Sequence, residues 1–435
     1  MKFHSTKNKQ QKVSLRTALL EGLPADNGLY VPETISPLPE TFFQELPEMT
    51  LPELSFQISR HLLGEVIPAS ALKELLEKAM NFSVPVVDIK PGISMLELFH
   101  GPTLAFKDFG ARFMAGLMGY FVQNSSKTLR ILVATSGDTG GAVASGFLGT
   151  PGIEVIILYP QGKVSPLQEK QLTALGQNIT ALEVKGTFDD CQAMVKAAFL
   201  DPEVQQHLWL SSANSINIGR LVPQSFYYFA GFRQLKAKGK PIVACVPSGN
   251  FGNLTAGLWA QKMGLPIAHF IAATNRNDVI PTYLQSGRFE ARPSVPTISN
   301  AMDVGNPSNF ARMDYLFEGV HEKMADAISG YAYGDQQTRE TISRIMKEHT
   351  YLLDPHAAVG YLAAENYLTK NPNHQVMVLG TAHPAKFLET VSPLVEQELV
   401  PPERLARLAD EPKESVLMEN QYAPFKDWLL SLDKP

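Results

Sequence analysis

Lys107 is the residue in this chain whose type and surroundings best suit it to act as a nucleophile. It lies in the segment 100–110, His-Gly-Pro-Thr-Leu-Ala-Phe-Lys-Asp-Phe-Gly, which follows a strand-like run at 93–99. An amine partly withdrawn from water loses preference for its ammonium form, and the neutral amine can attack a carbonyl to make a Schiff base. The alternative is that Lys107 only packs its apolar stem at a helix start. The segment alone therefore identifies a candidate nucleophile.

A glycine-rich turn at 135–141 could bind an anion through its backbone. It contains Ser136, Gly137, Asp138 and Thr139 and leads into a helix that we predict from Ala142. Small residues let backbone N–H groups approach a carboxylate at a helix start, and the two hydroxyls are additional donors. The alternative is an ordinary tight turn between a strand and a helix.

A second turn, at 248–253, could hold a phosphate. Its residues include Gly249, Asn250, Phe251, Gly252 and Asn253. Several backbone N–H groups can surround a phosphate there, and the following helix adds its positive end. The turn lacks the lysine of a nucleotide P-loop and the glycine spacing of a dinucleotide site. It therefore suggests a phosphorylated cofactor, with a merely structural turn as the alternative.

Two further places could bind ligands. Arg220 lies at a predicted helix start, where the helix dipole disfavours a positive side chain, so a bound anion explains it better than a solvated charge. The turn 380–386 offers the hydroxyl of Thr381 and the imidazole of His383 after a strand. Either could touch a ring nitrogen or only cap a helix.

Alternating strand-like and helix-like runs must position these residues. The periodicity predicts strands at 128–134, 153–159, 179–184, 241–246, 267–273 and 375–379, and helices at 165–175, 188–200, 220–238, 254–263, 336–350 and 357–369. Such alternation is typical of parallel sheets covered by helices on both faces, in which ligands bind beyond the carboxyl ends of the strands. We therefore expect an α/β fold.

The chain is expected to comprise three parts. A helical N-terminal lobe occupies 1–90, with an extended piece at 28–32 and a proline-rich loop or linker at 32–52. An α/β domain with Lys107 and the first turn spans 91–238. A second α/β domain with the phosphate-binding turn spans 239–435, and its entry is placed at Gly239 because a glycine ends the preceding helix.

The composition excludes several kinds of partner. The 435 residues carry a net charge of -5 and are 44% hydrophobic, which indicates a soluble globular protein. A mildly acidic chain has no overall positive charge with which to bind nucleic acid or an anionic membrane. Cys191 and Cys245 are the only cysteines, so we expect neither a disulfide framework nor a metal site. No signal peptide or membrane-spanning run is recognisable, so we expect a cytoplasmic protein.

In combination, these motifs resemble the threonine synthase family. The segments that carry the resemblance are 100–109, Thr-Ser-Gly-Asp-Thr-Gly at 135–140, Gly-Thr-Phe-Asp-Asp-Cys-Gln at 186–192, Asn-Ser-Ile-Asn with Arg220 at 214–220, and Ser-Gly-Asn-Phe-Gly-Asn at 248–253. The likeness extends from 28–32 through 354–356 to 383–386 and is to the longer microbial and fungal form. That family belongs to the tryptophan-synthase-like (fold type II) pyridoxal-phosphate enzymes, which implies two parallel-sheet, three-layer αβα lobes.

The resemblance implies a role for each candidate residue. Lys107 would form a Schiff base with pyridoxal 5'-phosphate, the turn 249–253 would hold the cofactor phosphate, and Thr381 would face the pyridine nitrogen. The turn 136–139 would bind the substrate α-carboxylate. The phosphate of the substrate would be bound by Asn214, Ser215, Asn217 and Arg220.

Asp138 departs from the pattern of the wider fold type II class. Many relatives have asparagine at this place, where it can donate to the ring oxygen of the cofactor. An ionised aspartate cannot donate a hydrogen bond, and it would lie beside an anionic substrate carboxylate. Asp138 could instead accept N–H groups of the loop or pair with a nearby cation, and both alternatives stay open.

The implied activity is the conversion of O-phospho-L-homoserine and water into L-threonine and phosphate, by γ-elimination and β-addition of water. The resemblance also favours a monomer without a regulatory domain. Two phosphates must be held at once, whereas a serine or threonine dehydratase needs only the cofactor site. A dehydratase-type lyase is therefore one alternative, and a related protein that binds cofactor or phosphorylated ligands without turnover is the other.

Overall fold

The computed structural model describes residues 1–235, 239–396 and 398–432. Its N-terminal part pairs strand β1 (Phe3–Ser5) antiparallel with β2 (Tyr30–Pro32) and adds the helices α1 (Leu15–Glu21), α2 (Glu40–Glu45), α3 (Leu51–Leu63) and α4 (Ala69–Ala79). The helical lobe and the extended piece at 28–32 are as predicted. The loop predicted at 32–52 is wrong over α2, because Phe42 is buried and packs edge-on against Phe229.

The remaining elements alternate along the chain. The strands are β3 (Val86–Lys90), β4 (Ile93–Glu97), β5 (Leu129–Ala134), β6 (Ile153–Pro160), β7 (Ile179–Lys185), β8 (Trp209–Ser212), β9 (Ile242–Pro247), β10 (Ile267–Thr274), β11 (Ile328–Ala332), β12 (Gln375–Gly380) and β13 (Val416–Glu419). The helices are α5 (Lys107–Val122), α6 (Asp138–Phe147), α7 (Pro166–Thr173), α8 (Phe188–Leu200), α9 (Pro202–His207), α10 (Ile218–Leu221), α11 (Phe226–Leu235), α12 (Gly252–Lys262), α13 (Val279–Ser286), α14 (Phe310–Leu316), α15 (His321–Ala327), α16 (Asp335–His349), α17 (Pro355–Lys370), α18 (Leu388–Val391), α19 (Glu403–Ala409) and α20 (Tyr422–Ser431).

Two sheets organise these elements. The first has the strand order β13-β7-β6-β5-β8, and all its pairs are parallel. The second has the order β11-β10-β9-β12-β4-β3 and is parallel except for β3, which pairs antiparallel with β4. The antiparallel edge was not predicted. It forms because only Pro91 and Gly92 separate the two strands, and Gly92 adopts the left-handed φ of 89° that such a tight connection favours.

Both sheets are covered on both faces. Along β9, Ala244 and Val246 belong to one hydrophobic core, whereas Val243 and Cys245 belong to a second. Successive strand residues point to opposite faces, so this alternation places apolar layers above and below the sheet. The predicted three-layer α/β architecture is therefore confirmed.

Sheet membership crosses the predicted domain boundaries. Strand β4, from the segment 91–238, pairs with β12 in the second sheet, and β13, from the segment 239–435, pairs with β7 in the first. The predicted helix 220–238 is interrupted by a 3-10 turn at Val222–Ser225, because Pro223 has no N–H to donate. Residues 236–238, where that helix was predicted to end, lie outside the described residues. None of the helices in the described ranges is both long and apolar enough to cross a membrane.

Candidate active site

Lys107 and Thr381 come together at one edge of the second sheet. Lys107 is the first residue of α5, and the residues just before it run along the turn that follows β12. The backbone N–H of Phe106 donates to the carbonyl of Thr381 over 2.9 Å, and Ala105 forms an isolated bridge with Ala382. Because β4 and β12 are parallel neighbours, both segments leave the sheet at its carboxyl edge, where ligands bind in such folds.

The amine of Lys107 is withdrawn from water. Its side chain is 16% exposed, and its Nζ lies 3.9 Å from Oδ2 of Asp138 and 5.7 Å from the ring centre of Phe106. Burial lowers the pKa of Lys107 to about 8; Asp138 opposes the shift, and the charges of Lys386 and Arg220 add to it. A substantial neutral fraction near neutral pH is what a nucleophilic lysine requires.

Asp138 forms a buried ion pair with Lys386, a residue that we had not predicted to belong to the site. Nζ of Lys386 lies 2.5 Å from Oδ1 of Asp138, and Nε2 of Gln168 donates to the same oxygen over 2.8 Å. Burial by itself would raise the pKa of Asp138, but the charges of Lys386 and Lys107 hold it well below its usual range. Of the alternatives left open for Asp138, the geometry favours pairing with a cation.

The turn before α6 leaves backbone donors free. The helix begins at Asp138, earlier than the predicted Ala142, and its cap residue Gly137 has a φ of 138° and no side-chain cap. A side chain at 137 would also contact the carboxamide of Gln168 at 2.8 Å. Across the described ranges no hydrogen bond reaches the backbone N–H groups of Asp138 or Thr139, so this helix start can accept an anion.

The turn before α12 has the same property. Phe251 caps the helix in the left-handed conformation, with a φ of 59°, and its side chain makes no capping bond. Asn253 closes the turn: its Oδ1 accepts from Ser248 and its Nδ2 donates to the carbonyl of Pro247. Within the part of the chain that the structure describes, the N–H groups of residues 250–252 have no partner. Free donors in this arrangement, the cup before α12, suit an anion, and phosphate binding at 249–253 stays a prediction.

Arg220 is a buried cation with few partners. It is 3% exposed, its Nη1 donates to the carbonyl of Ala213 over 2.7 Å, and its Nε has no partner among the described residues. Burial lowers the pKa of Arg220 to about 10, and the charge of Asp108 offsets this only in part. Because a buried guanidinium is costly without an acceptor, the geometry favours a bound anion.

The other residues of the predicted 214–220 cluster differ from one another. Oγ of Ser215 accepts a hydrogen bond from Nδ2 of Asn250, so this cluster and the cup before α12 are in direct contact. Asn214 has a buried Oδ1 with no partner in the described segments. Asn217 donates both amide hydrogens to the carbonyls of Leu19 and Ser212 and caps α10 with its Oδ1. This geometry favours a structural role for Asn217 over the predicted contact with phosphate.

Arg312 is a second unpredicted residue beside these anion sites. It is fully buried and donates to the carbonyls of Tyr30, Ser215 and Ile216 and to Oδ1 of Asn309. Burial lowers the pKa of Arg312 to about 9. No motif marks Arg312 in the sequence, whereas Lys386 could have been suspected from its place in the turn after β12.

The residues present fit pyridoxal phosphate. The cofactor needs an amine for its aldehyde, donors for its phosphate and a partner for its ring nitrogen. Lys107 supplies a largely buried amine. Within the described residues, the N–H groups of the turn before α12 and the hydroxyl of Thr381 have no hydrogen-bond partner. The donors and the hydroxyl are therefore free to bind a ligand, and the lowered pKa of Lys107 makes its amine available to the aldehyde.

Comparison with known proteins agrees with this site. The family model described as "Pyridoxal-phosphate dependent enzyme" matches residues 93–381. The chain therefore belongs to the pyridoxal-phosphate-dependent enzymes, and its cofactor is pyridoxal phosphate. Two more models, for the threonine synthase N terminus and C-terminal region, match residues 2–80 and 357–428.

Individual relatives show which family of pyridoxal-phosphate-dependent enzymes the chain belongs to. The chain is 43% identical over 432 residues to threonine synthase from Escherichia coli K12, covering 99% of this chain and 100% of that protein, and 35% identical to the Saccharomyces cerevisiae enzyme, covering 90% and 88%. The solved structure of PLP-bound threonine synthase from Brucella melitensis superposes with a TM-score of 0.93 at 34% identity, covering 100% of both chains. The chain belongs to the threonine synthase family.

Proposed function

We propose that this chain converts O-phospho-L-homoserine and water into L-threonine and phosphate. It would thus be a carbon–oxygen lyase acting on a phosphate ester, in the last step of threonine biosynthesis. The observation that carries the proposal is that donors without a partner among the described residues occur in two neighbouring places, the backbone N–H groups of the turn before α12 and Nε of buried Arg220. A lyase acting on an unphosphorylated hydroxy amino acid needs only the first.

Three sets of residues would hold the cofactor. Lys107 would hold it through its amine, the backbone N–H groups of Gly249, Asn250, Phe251, Gly252 and Asn253 would donate to its phosphate, and the hydroxyl of Thr381 would be the partner of its ring nitrogen. When bound, pyridoxal phosphate supplies a sink for the electron pair left on Cα of the substrate. A hydroxyl partner, in place of a carboxylate, leaves the ring nitrogen less protonated, which suits elimination and replacement chemistry.

The substrate would be held at both ends. Its α-carboxylate accepts hydrogen bonds at the start of α6, from the turn that contains Ser136, Gly137, Asp138 and Thr139. Its phosphate lies against Arg220, Ser215 and Asn214, with Asn217 keeping the backbone of this turn in place. An arginine fork matches a phosphate dianion in both charge and geometry. Holding both ends positions Cα within reach of Lys107.

Lys107 is the proposed acid and base. The amine of Lys107 would remove the proton from Cα of the bound substrate and later return one. A pKa of about 8 for Lys107 suits both directions near neutral pH. Overall, the Cγ–O bond breaks with release of phosphate, Cγ gains one hydrogen, and Cβ exchanges one hydrogen for a hydroxyl from water.

A substrate panel tests the proposal. Purified protein loaded with cofactor is given O-phospho-L-homoserine, L-serine or L-threonine, and phosphate, threonine and 2-oxoacids are measured. We expect threonine and phosphate from the first compound only. A 2-oxoacid formed from serine or threonine as the main product would support a dehydratase instead. Cofactor binding without any turnover would support a non-catalytic ligand-binding protein.

We also propose that the protein acts as a monomer in the cytoplasm. Its lobes would be built mainly from the segments 1–90, 91–238 and 239–435, with β4 and β13 each joining the sheet of the other α/β segment. The resemblance to the longer form of the family supports the monomer, and the charge and cysteine content support the compartment. Analytical ultracentrifugation of the purified protein tests the first point, since a dimer would sediment at twice the mass.

A further inference from the structure

A buried ion pair connects the two lobes beside Lys107. Asp138 belongs to the helix start after β5 of the first sheet, and Lys386 belongs to the turn after β12 of the second. Their charged atoms lie 2.5 Å apart, and their side chains are 5% and 1% exposed. Lys386 also donates to the carbonyl of Thr103 over 2.9 Å. The ammonium is therefore fixed by groups from both lobes.

The place of Asp138 makes such a partner necessary. Asp138 is the first residue of α6, the helix start proposed to bind the substrate carboxylate. A lone aspartate there would repel that carboxylate in a site shielded from water, where charges interact strongly. Lys386 makes the pair neutral overall, so the repulsion is removed. The substrate carboxylate is then attracted by the free N–H groups of the turn.

Charged and aromatic groups from several elements face Lys107. They are Asp138 from α6, Lys386 from the turn after β12, Arg220 from α10 and the ring of Phe106 before α5. Asp138 favours the ammonium form of Lys107, whereas Lys386 and Arg220 oppose it. Loss of Asp138 or of Lys386 should therefore change the protonation of Lys107 in opposite directions.

We propose that Lys386 is a positioning residue for the reaction: it neutralises Asp138 and holds that carboxylate beside the Lys107 amine, so that the turn at 136–139 can accept an anionic substrate. The identity of the carboxylate rests on the proposed function. Lys386 acts through Asp138 and is not itself placed on the reacting atoms.

A double-mutant cycle tests the proposal. The variants are Lys386→Met, Asp138→Asn and the double variant, which differ in the charge left in the pair: -1, +1 and zero. The matched control is Lys323→Met, which removes an exposed lysine paired with Glu318. For each protein, kcat and KM for O-phospho-L-homoserine are measured, together with the rate at which cofactor-free protein captures pyridoxal phosphate between pH 6 and 10.

The expected results differ in sign. Lys386→Met should raise KM by about tenfold or more through repulsion of the substrate carboxylate, and should shift the pH midpoint of cofactor capture upward, because Asp138 then faces Lys107 without a competing cation. Asp138→Asn should shift that midpoint downward. The double variant should recover most of the KM lost in Lys386→Met. Lys323→Met should match the unmodified protein in both measurements.

Two results would overturn the proposal. One is a double variant as impaired in KM as Lys386→Met, which would mean that Lys386 does not act through Asp138. The other is a pH midpoint that moves in the same direction in both single variants, as a general loss of structure would cause. The capture profile needs no substrate, so it still tests Lys386 if the unmodified protein fails to convert O-phospho-L-homoserine and the proposed function is wrong.

Discussion

Replacing Arg220 with methionine is expected to weaken substrate binding while leaving the cofactor in place. The guanidinium is buried, its Nε has no partner among the described residues, and a single carbonyl accepts from its Nη1. Two charge-assisted hydrogen bonds to a phosphate contribute about 3 kcal/mol, so kcat/KM for O-phospho-L-homoserine should fall about 150-fold. Methionine retains the unbranched stem that packs beside Gly110, where the guanidinium approaches the helix backbone.

Replacing Arg220 should leave the stability unchanged or raise it, whereas replacing an arginine with a structural role would lower it. Arg220 forms no ion pair among the described residues, and the charge of Asp108 offsets its burial only in part. Removing such a buried charge takes away a desolvation cost, so the cofactor-loaded Arg220→Met protein should unfold at the same temperature or higher. Added inorganic phosphate should raise the Tm of the unmodified protein, whose second anion site it can occupy, but not that of the variant. Cofactor absorbance serves as the control for the first anion site.

Either of two results would refute this reasoning. Unchanged KM and kcat in Arg220→Met would mean that the guanidinium does not bind the substrate phosphate. A large fall in Tm with an equal response to phosphate in both proteins would mean that Arg220 is structural and that the added anion binds elsewhere.

Three further predictions concern other parts of the site. Gly249→Ala should weaken cofactor binding about tenfold in an absorbance titration, because the added Cβ would lie 2.7 Å from Cα of Met302. The unfolding free energy of cofactor-free protein should rise by about 3 kcal/mol relative to Lys107→Met as the pH increases from 8 to 10.5. Over that interval the unfolded chain still binds the proton that folded Lys107 has lost. Arg312→Met should lower the unfolding free energy in urea by about 4 kcal/mol, since it leaves three backbone carbonyls and Asn309 without their donor. Four buried or half-buried acceptors that each lose about 1–3 kcal/mol outweigh the desolvation cost that the substitution removes.

Each of these predictions can fail clearly. Gly334 has only the far end of one side chain within 4.0 Å, so Gly334→Ala is the control for Gly249→Ala, and equal affinities in the two would contradict the steric argument. A flat or falling difference in stability between pH 8 and 10.5 would mean that Lys107 is not shifted downward. A loss under 1 kcal/mol in Arg312→Met would mean that water replaces the lost donor, and that the guanidinium is dispensable for the fold.

The sequence predicted those features that depend on local pattern. The helix at Phe188–Leu200 follows from its apolar periodicity, and the structure has the same bounds. The turns after β5, β9 and β12 were recognisable because glycines and hydroxyls follow apolar strands. Their meeting at the carboxyl edges of the sheets is a general property of parallel sheets.

Features that depend on distant contacts were missed. The pairing of Asp138 with Lys386 joins turns from two different sheets, and neither residue belongs to a local motif that specifies the other. Asn217 fits a phosphate-binding pattern by type, but its amide is taken up by the carbonyls of Leu19 and Ser212 once the N-terminal lobe packs against it. Strands β4 and β13 join the sheet of the other segment for the same reason: strand partners are chosen by three-dimensional packing, not by proximity in sequence.

The most direct test of the account follows oxygen from water enriched in oxygen-18. Cofactor-loaded protein is incubated with O-phospho-L-homoserine, and both products are analysed by mass spectrometry. Elimination at Cγ followed by addition of water at Cβ predicts threonine and phosphate in equal amounts, with the heavy oxygen in the threonine hydroxyl and none in the phosphate. Heavy oxygen in the phosphate together with homoserine would indicate simple ester hydrolysis, and would contradict the mechanism proposed for Lys107 and the two anion sites.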